Sequence, residues 1–349
     1  MKPKNILVFG ATGQIGRNLV RKLTKKNYKV TAVTRNIHQK GYILKTQANP
    51  GYIDIIETSI FDENKIKELI SKCHVCVNLI GILHEKRKNT FNNIHKLFPG
   101  MISNICAEYK IENLVHLSAL GIDEATDSEY AKSKLNGEKE IKKNFQKALI
   151  IRPSIVYSVD DNFTTLFMTL LNRLPFFPLY YKGNTKFSPI HCTDMAEIIS
   201  TIIEKNINSQ TVECIGPEQI TFKEIVKSLL EAINKKRILV PVPLFFANLL
   251  AFFFELMPNP LLTKVVSETI VSGGDWDFDY NIFGVKGTNK ATLEFSFNSL
   301  DHISGNPACL ERISVDIRHT IQGSGSDTEL HNLTDFFRCV SQHLQGKRD

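Results

Sequence analysis

Three groups of residues in this 349-residue chain have types and spacings that could do chemistry. The first is Gly10-Ala11-Thr12-Gly13-Gln14-Ile15-Gly16, a G-x-x-G-x-x-G placed between the apolar run Ile6 to Phe9 and the amphipathic stretch Gln14 to Lys25. Glycines at that spacing let a backbone turn tightly, approach a pyrophosphate and pack helix on sheet, while the helix N-terminus supplies amide donors and a favourable dipole. Gly10, Thr12, Gly13, Gln14, Ile15 and Gly16 are therefore expected to hold a dinucleotide. The second group ends the next apolar run, Val33-Thr34-Arg35-Asn36, where an NAD site usually carries an acid for the adenosine ribose. Arg35 can stack on adenine and pair with a 2′-phosphate, with no carboxylate competing for the position. NADP(H) is thus favoured and NAD(H) left open; the competing reading of Arg35 is a solvated strand-end cation.

The third group is Ser118, Tyr130 and Lys134. Tyr130 and Lys134 stand four apart in Tyr130-Ala131-Lys132-Ser133-Lys134, one turn apart on one helix face, and Ser118 ends the strand twelve residues earlier. A free tyrosine ionises near pH 10, so acid/base work at neutral pH needs an ammonium and a cationic nicotinamide beside it. Lys134 would supply that charge while holding the nicotinamide ribose, and Ser118 would orient a carbonyl. Tyr-x-x-x-Lys also occurs by chance on many helices, so turnover stays open. A fourth grouping, Cys73-His74-Val75-Cys76, lies on an apolar strand with no second pair at zinc spacing, and is read as buried thiols; no metal site is expected.

Positioning these groups calls for strands alternating with helices. Apolar runs at 6–9, 29–33, 53–57, 75–80, 114–118 and 149–151 alternate with amphipathic stretches at 14–25, 63–71, 94–109 and 130–144. That rhythm predicts an α/β fold: a Rossmann-type, doubly wound parallel sheet covered on both faces. Past Arg152 the alternation loosens into loops and helices, including a Pro/aromatic stretch, Leu174 to Tyr181, and helices near Asp194 to Glu204 and Phe222 to Asn234. The expected division is a dinucleotide-binding domain over 1–152, a smaller substrate or partner subdomain over 153–263 and an atypical tail over 264–349, with one amphipathic stretch at Leu330 to Leu344.

Composition narrows the classes. Hydrophobic residues at 42%, charged residues at 23%, 19 Gly and 13 Pro exclude collagen-like and wholly disordered chains. The net charge of +7 is uneven: residues 1–263 hold 35 Lys+Arg against 24 Asp+Glu, and residues 264–349 hold 8 against 12. The lysines are scattered rather than striped, so a solvated face is favoured and no nucleic-acid partner is expected. Seven dispersed Cys and an opening directly into a strand, with no apolar leader, point to a reducing, cytoplasmic compartment. Leu244 to Met257, LFFANLLAFFFELM, lies between Pro243 and Pro258 below Lys235-Lys236-Arg237; it is too short to span a bilayer and is read as an interfacial or partner-groove helix, or a core helix.

Together these residues resemble the short-chain dehydrogenase/reductase superfamily, its atypical and extended branches, and within it the NAD(P)H-binding accessory subunits of respiratory complex I and their bacterial relatives. The resemblance rests on GATGQIGRNLV (Gly10 to Val20), VNLIGILHE (Val77 to Glu85), LVHLSALG (Leu114 to Gly121), YAKSKLNGE (Tyr130 to Glu138), IRPSIVY (Ile151 to Tyr157) with DNF (Asp161 to Phe163), and FSPIHCTDMAE (Phe187 to Glu197), over about residues 5–263. It implies a bound dinucleotide with Asn78, Gly81 and Pro153 among its contacts, held structurally rather than turned over. It also implies partners among complex I subunits or a peripheral place on the inner membrane. Two departures stand out: Ser158 replaces a common glycine, and the likeness ends near Lys264. The alternatives are an active NAD(P)-dependent oxidoreductase or sugar-nucleotide epimerase/dehydratase, with substrate over Asn78 to Leu83 and Phe187 to His191, and a ubiquinone-pathway factor.

Overall fold

The computed structural model describes residues 4–125 and 128–242. The expectations for Leu244 to Met257, for Leu330 to Leu344 and for the tail 264–349 lie outside the described residues. The described residues form two units that interleave in sequence: 4–153 with 191–213, and 154–190 with 214–242.

The first unit runs β1 (Asn5–Phe9), α1 (Gln14–Lys25), β2 (Lys29–Thr34), α2 (Ile37–Gln47), β3 (Ile53–Glu57), α3 (Glu63–Ser71), β4 (Val75–Asn78), a π-helical turn (Asn92–Leu97), α4 (Phe98–Glu108), β5 (Asn113–Leu117), α5 (Glu129–Asn144) and β6 (Ala148–Pro153). Its seven-stranded sheet has the order β11-β6-β5-β4-β1-β2-β3, with β11 the later strand Thr211–Cys214. The pairs β1·β2, β1·β4, β2·β3, β4·β5 and β5·β6 are all parallel. Ile6, Leu7, Val8, Phe9, Cys76, Val77, Leu149, Ile150 and Ile151 are fully buried, which is why these strands read as continuous apolar runs: helices cover both faces. Chain order reverses between β1 and β4, so a crevice opens outside their carboxyl ends.

Two departures from the expected helices have local causes. Segment 37–47 has little amphipathic rhythm and buries only Gly41 and Leu44, yet α2 forms, started by Asn36 Oδ1 accepting from the Gln39 amide at 3.0 Å. The helix expected over 94–109 is instead a π-turn followed by α4. Pro99 lacks an N–H, so it cannot bond the His95 carbonyl four residues back, and the ladder widens at that place.

The second unit contains β7 (Val156–Tyr157), α6 (Asn162–Arg173), β8 (Phe176–Tyr180), a 3-10 turn (Tyr181–Gly183) and β9 (Lys186–Phe187). β10 (Ile190–His191) then leads into α7 (Cys192–Glu204) and β11 of the first unit, after which β12 (Ile220–Thr221), α8 (Phe222–Ala232) and β13 (Ile238–Val242) belong again to the second. Leu174 to Tyr181, expected as irregular, contains a strand: β8 pairs in parallel with β13, from Phe176↔Ile238 to Tyr180↔Val242. Pro178 is tolerated there because the ribbon has only two strands, and a proline can face an open edge. The core of this unit is aromatic: Phe167 lies edge-on to Phe222 at 5.3 Å and to Phe177 at 5.9 Å.

Candidate dinucleotide site

Gly10 follows β1 at φ +79°, a conformation L side chains rarely adopt, and a Cβ there would lie 3.1 Å from the carbonyl carbon of Leu79. At Gly16 a Cβ would come within 2.3 Å of the Gly10 carbonyl oxygen, so α1 packs on the turn as only glycine permits. Gly13 is the N-cap of α1; no side chain caps that end and no acid stands in its first turn. By contrast Asp62, Ser128, Asp161 and Thr221 each cap their own helix. The turn Gly10–Gly16 thus presents the N-terminal end of α1, with no side-chain cap at Gly13, at the crevice between β1 and β4, with Thr12 and Gln14 half-buried and Ile15 buried.

The loop after β4 forms the other wall. The Leu79 amide donates to the Phe9 carbonyl at 3.0 Å, and Asn78 Oδ1 accepts from the Ile80 amide at 3.1 Å. With its oxygen committed, the Asn78 amide group donates from Nδ2 to His116 Nδ1 at 3.1 Å. His116 therefore carries its proton on Nε2, which is buried and has no hydrogen-bond partner. Burial first, and the Lys134 charge second, push His116 down to about 3, so it is neutral.

Helix α5 brings the acid/base candidates. Lys134, 4% exposed, donates from Nζ to the Leu117 carbonyl at 3.1 Å, immediately before Ser118, and lies 5.9 Å from the Tyr130 ring centroid. A Cβ on Gly81 would be 3.4 Å from the same Nζ, so the lysine reaches the β4 loop as well. Burial pulls the ammonium down to about 8, against a smaller upward pull from Glu138. Burial pushes Tyr130 up to about 12. Ser118 Oγ is buried without a partner. Pro153, buried at the end of β6, accepts from the Leu120 amide at 2.9 Å and so shapes the loop after Ser118. Glu138, 1% exposed, holds Arg152 at 3.0 and 2.7 Å through both oxygens, and Arg152 also pairs with Asp123; this network fastens α5 to β6.

Arg35 is exposed at the end of β2. Contrary to the expectation that no carboxylate competes there, the neighbouring strand brings one. Thr34 pairs with Glu57 at the end of β3, and Glu57 Oε2 accepts from the Ile37 amide at 2.7 Å. Cys73 and Cys76 are buried free thiols, with Cys106 beside them, and burial raises Cys73 well above the ordinary thiol range.

The sequence profile of the RmlD substrate binding domain matches residues 4–243. The chain belongs to that family. Among curated proteins it is 28% identical over 240 residues to the NADH-ubiquinone oxidoreductase 40 kDa subunit of Neurospora crassa, covering 68% of this chain and 62% of that one. It is 27% identical over 261 residues to the NADH dehydrogenase [ubiquinone] 1 alpha subcomplex subunit 9 of Arabidopsis thaliana, covering 73% and 65%. The chain thus spans a little under two thirds of the length of these two relatives. Among solved structures, the dTDP-glucose 4,6-dehydratase DesIV of Streptomyces venezuelae, with NAD and TYD bound, superposes with a TM-score of 0.59 at 17% identity, over 68% of this chain and 84% of that one. The parallel sheet and this superposition bear out the Rossmann-type fold expected from the strand-helix rhythm, and no helix among the described residues is long and apolar enough to cross a membrane.

Four site residues escaped the sequence reading. His95 joins the β4 loop to Ser133 on α5, His116 pairs with Asn78, and Glu57 accepts from the Ile37 amide just past Arg35. The only local signal for His95 is Pro99 four residues on, inside an otherwise helical pattern.

Proposed function

We propose that this chain is an NAD(P)H-binding protein of the complex I accessory type, in which a dinucleotide lies across the β1/β4 crevice and stiffens the first unit. The observation that carries the reading is the glycine turn with its uncapped helix end, placed where the sheet order reverses. When bound, the dinucleotide supplies hydride-transfer capacity. Gly10, Thr12, Gly13, Gln14, Ile15 and Gly16 would meet its pyrophosphate, Arg35 its adenosine ribose, and Asn78, Gly81, Tyr130, Lys134 and Pro153 its nicotinamide half. NADP(H) is preferred through Arg35, by a margin that the Glu57 carboxylate narrows. Partners are subunits of a respiratory complex at the inner membrane, and the names of the Neurospora and Arabidopsis relatives support this. The division proposed with it is a dinucleotide-binding domain over 1–152, a substrate or partner subdomain over 153–263 and a divergent tail over 264–349.

The structural reading rests on the names of the relatives rather than on the protonation of the site. Burial pushes Tyr130 up to about 12, so acid/base work there would need the charge of a bound nicotinamide beside Lys134. Ser118, Tyr130 and Lys134 gathered at one end of β5 and α5 keep a second reading open, an active oxidoreductase or epimerase/dehydratase. Titration with NADPH and NADH, followed by a search for substrate-dependent absorbance change at 340 nm, tests both. Tight binding without turnover supports the structural cofactor, turnover abolished by Tyr130→Phe supports the enzyme, and no binding of either nucleotide removes both readings.

A further inference from the structure

We propose that His95 is the positioning residue of the nicotinamide half of the site, clamping the β4 loop to the helix of Tyr130 and Lys134 through its two ring nitrogens. The inference rests on the dinucleotide reading above and names what holds that end together. His95 Nε2 accepts from the Ile82 amide at 3.1 Å, in the loop that carries Gly81. That bond requires a bare Nε2, so the ring proton is on Nδ1, which donates to Ser133 Oγ at 2.9 Å. Ser133 Oγ in turn donates to the Tyr130 carbonyl at 2.6 Å. Only the neutral Nδ1–H ring satisfies all three bonds at once, and burial keeps His95 neutral by pulling it down to about 2.

The backbone shows how the ring is aimed. Because Pro99 has no N–H, the His95 carbonyl is released from the ladder, and the π-turn carries it against α5. A Cβ at Gly137 would stand 1.8 Å from that carbonyl oxygen, so α5 rests on His95 with only a hydrogen between. The imidazole stacks on Phe91, centroids 5.4 Å apart and 19° between planes, and meets Tyr130 edge-on at 5.3 Å. At 1% exposure His95 is fixed by two ring hydrogen bonds, one stacked and one edge-on aromatic ring, and the contact of its carbonyl with Gly137. No contact in this set reaches the Gly10–Gly16 turn, so its loss should fall on one half of the ligand.

The test compares NADPH with ADP, which lacks the nicotinamide half, on wild type, His95→Leu, His95→Gln and Ser133→Ala, with thermal melting alongside. His95→Leu is expected to weaken NADPH on the order of tenfold, the size of one buried donor left unmade, while ADP affinity moves less than about twofold. His95→Gln should recover most of the loss, since its amide oxygen can replace Nε2 as acceptor for Ile82. Ser133→Ala, which cuts only the Nδ1 arm, should weaken NADPH by roughly threefold and serves if His95→Leu does not fold. Equal losses for NADPH and ADP, or unchanged NADPH affinity in both His95→Leu and Ser133→Ala, overturn the inference. Wild type that binds neither NADPH nor NADH overturns the dinucleotide reading itself, and this inference with it.

Discussion

The two ends of the β1/β4 crevice are built by opposite means. The glycine turn is made within seven consecutive residues, and backbone sterics alone enforce it: positive φ at Gly10, and no room for a Cβ at Gly16. The end formed by the β4 loop and α5 is made by side chains far apart in sequence. Asn78 meets His116 across 38 positions, His95 meets Ser133 across 38, and Lys134 meets Leu117 across 17. The first end has no titratable group in its geometry, whereas the second depends on two neutral histidines and a buried lysine. A site can therefore keep its glycine turn and its pyrophosphate affinity while the opposite end drifts, which is one route from an enzyme to a protein that only holds its cofactor.

Acid is the largest expected way to separate the two ends. His95 and His116, down to about 2 and 3 in the folded chain, are near 6.5 when unfolded. The unfolded state binds more protons below that value, so their contribution is fully present above pH 6.5 and is lost as pH falls toward 3. Between pH 6.5 and 5 each histidine should cost about 2 kcal/mol. Denaturant melts at the two pH values measure this, and the double variant His95→Gln/His116→Asn should flatten the loss; an equally steep loss in that variant would remove the histidines as the cause.

Next in size, Gly13→Asp places a carboxylate against the proposed pyrophosphate. A Cβ at this exposed position meets only the Gly10 carbonyl at 3.3 Å, so the fold should survive. NADPH affinity is expected to fall by more than about a hundredfold with little change in Tm. Retained affinity would place the nucleotide elsewhere.

Smaller shifts concern the adenosine ribose. Arg35→Asp should move the NADPH:NADH preference on the order of tenfold toward NADH, and Glu57→Gln about threefold toward NADPH, as suits exposed charges. Equal NADPH and NADH affinity in wild type would sink the assigned preference. The smallest effect is assigned to Tyr130→Phe, which should change NADPH affinity less than about twofold; a much larger loss would show that the hydroxyl holds the cofactor.

What could be read from sequence follows the same division. The glycine turn and the parallel sheet are legible because their parts are neighbours in the chain or repeat at a fixed rhythm. Ser118, Tyr130 and Lys134 are legible as a spacing, and the fold brings Lys134 to the carbonyl beside Ser118. Glu57 is hidden because its place beside Arg35 comes from strand register, Thr34 against Glu57, which no local pattern encodes. His95 is hidden because a π-turn rotates it away from the helical period that would have placed it. Helix α2 is hidden because its segment has almost no buried face.

The interleaving of the two units matters during synthesis. Helix α1 is paired with α7 through Lys22 to Glu197 at 2.7 Å, Lys26 to Glu204 at 2.9 Å and Asn18 to Cys192 at 3.3 Å, and β6 receives β11 through the Ile150 amide and the Gln210 carbonyl at 2.8 Å. A nascent chain that has emerged to Pro153 holds the whole glycine turn but has a bare α1 face and an open β6 edge. At ribosomal speeds the remaining stretch to Glu213 takes roughly 3 to 12 seconds. During that interval the unpaired strand is a target for chaperones, and a message truncated near codon 153 should yield a sticky product rather than a small working domain.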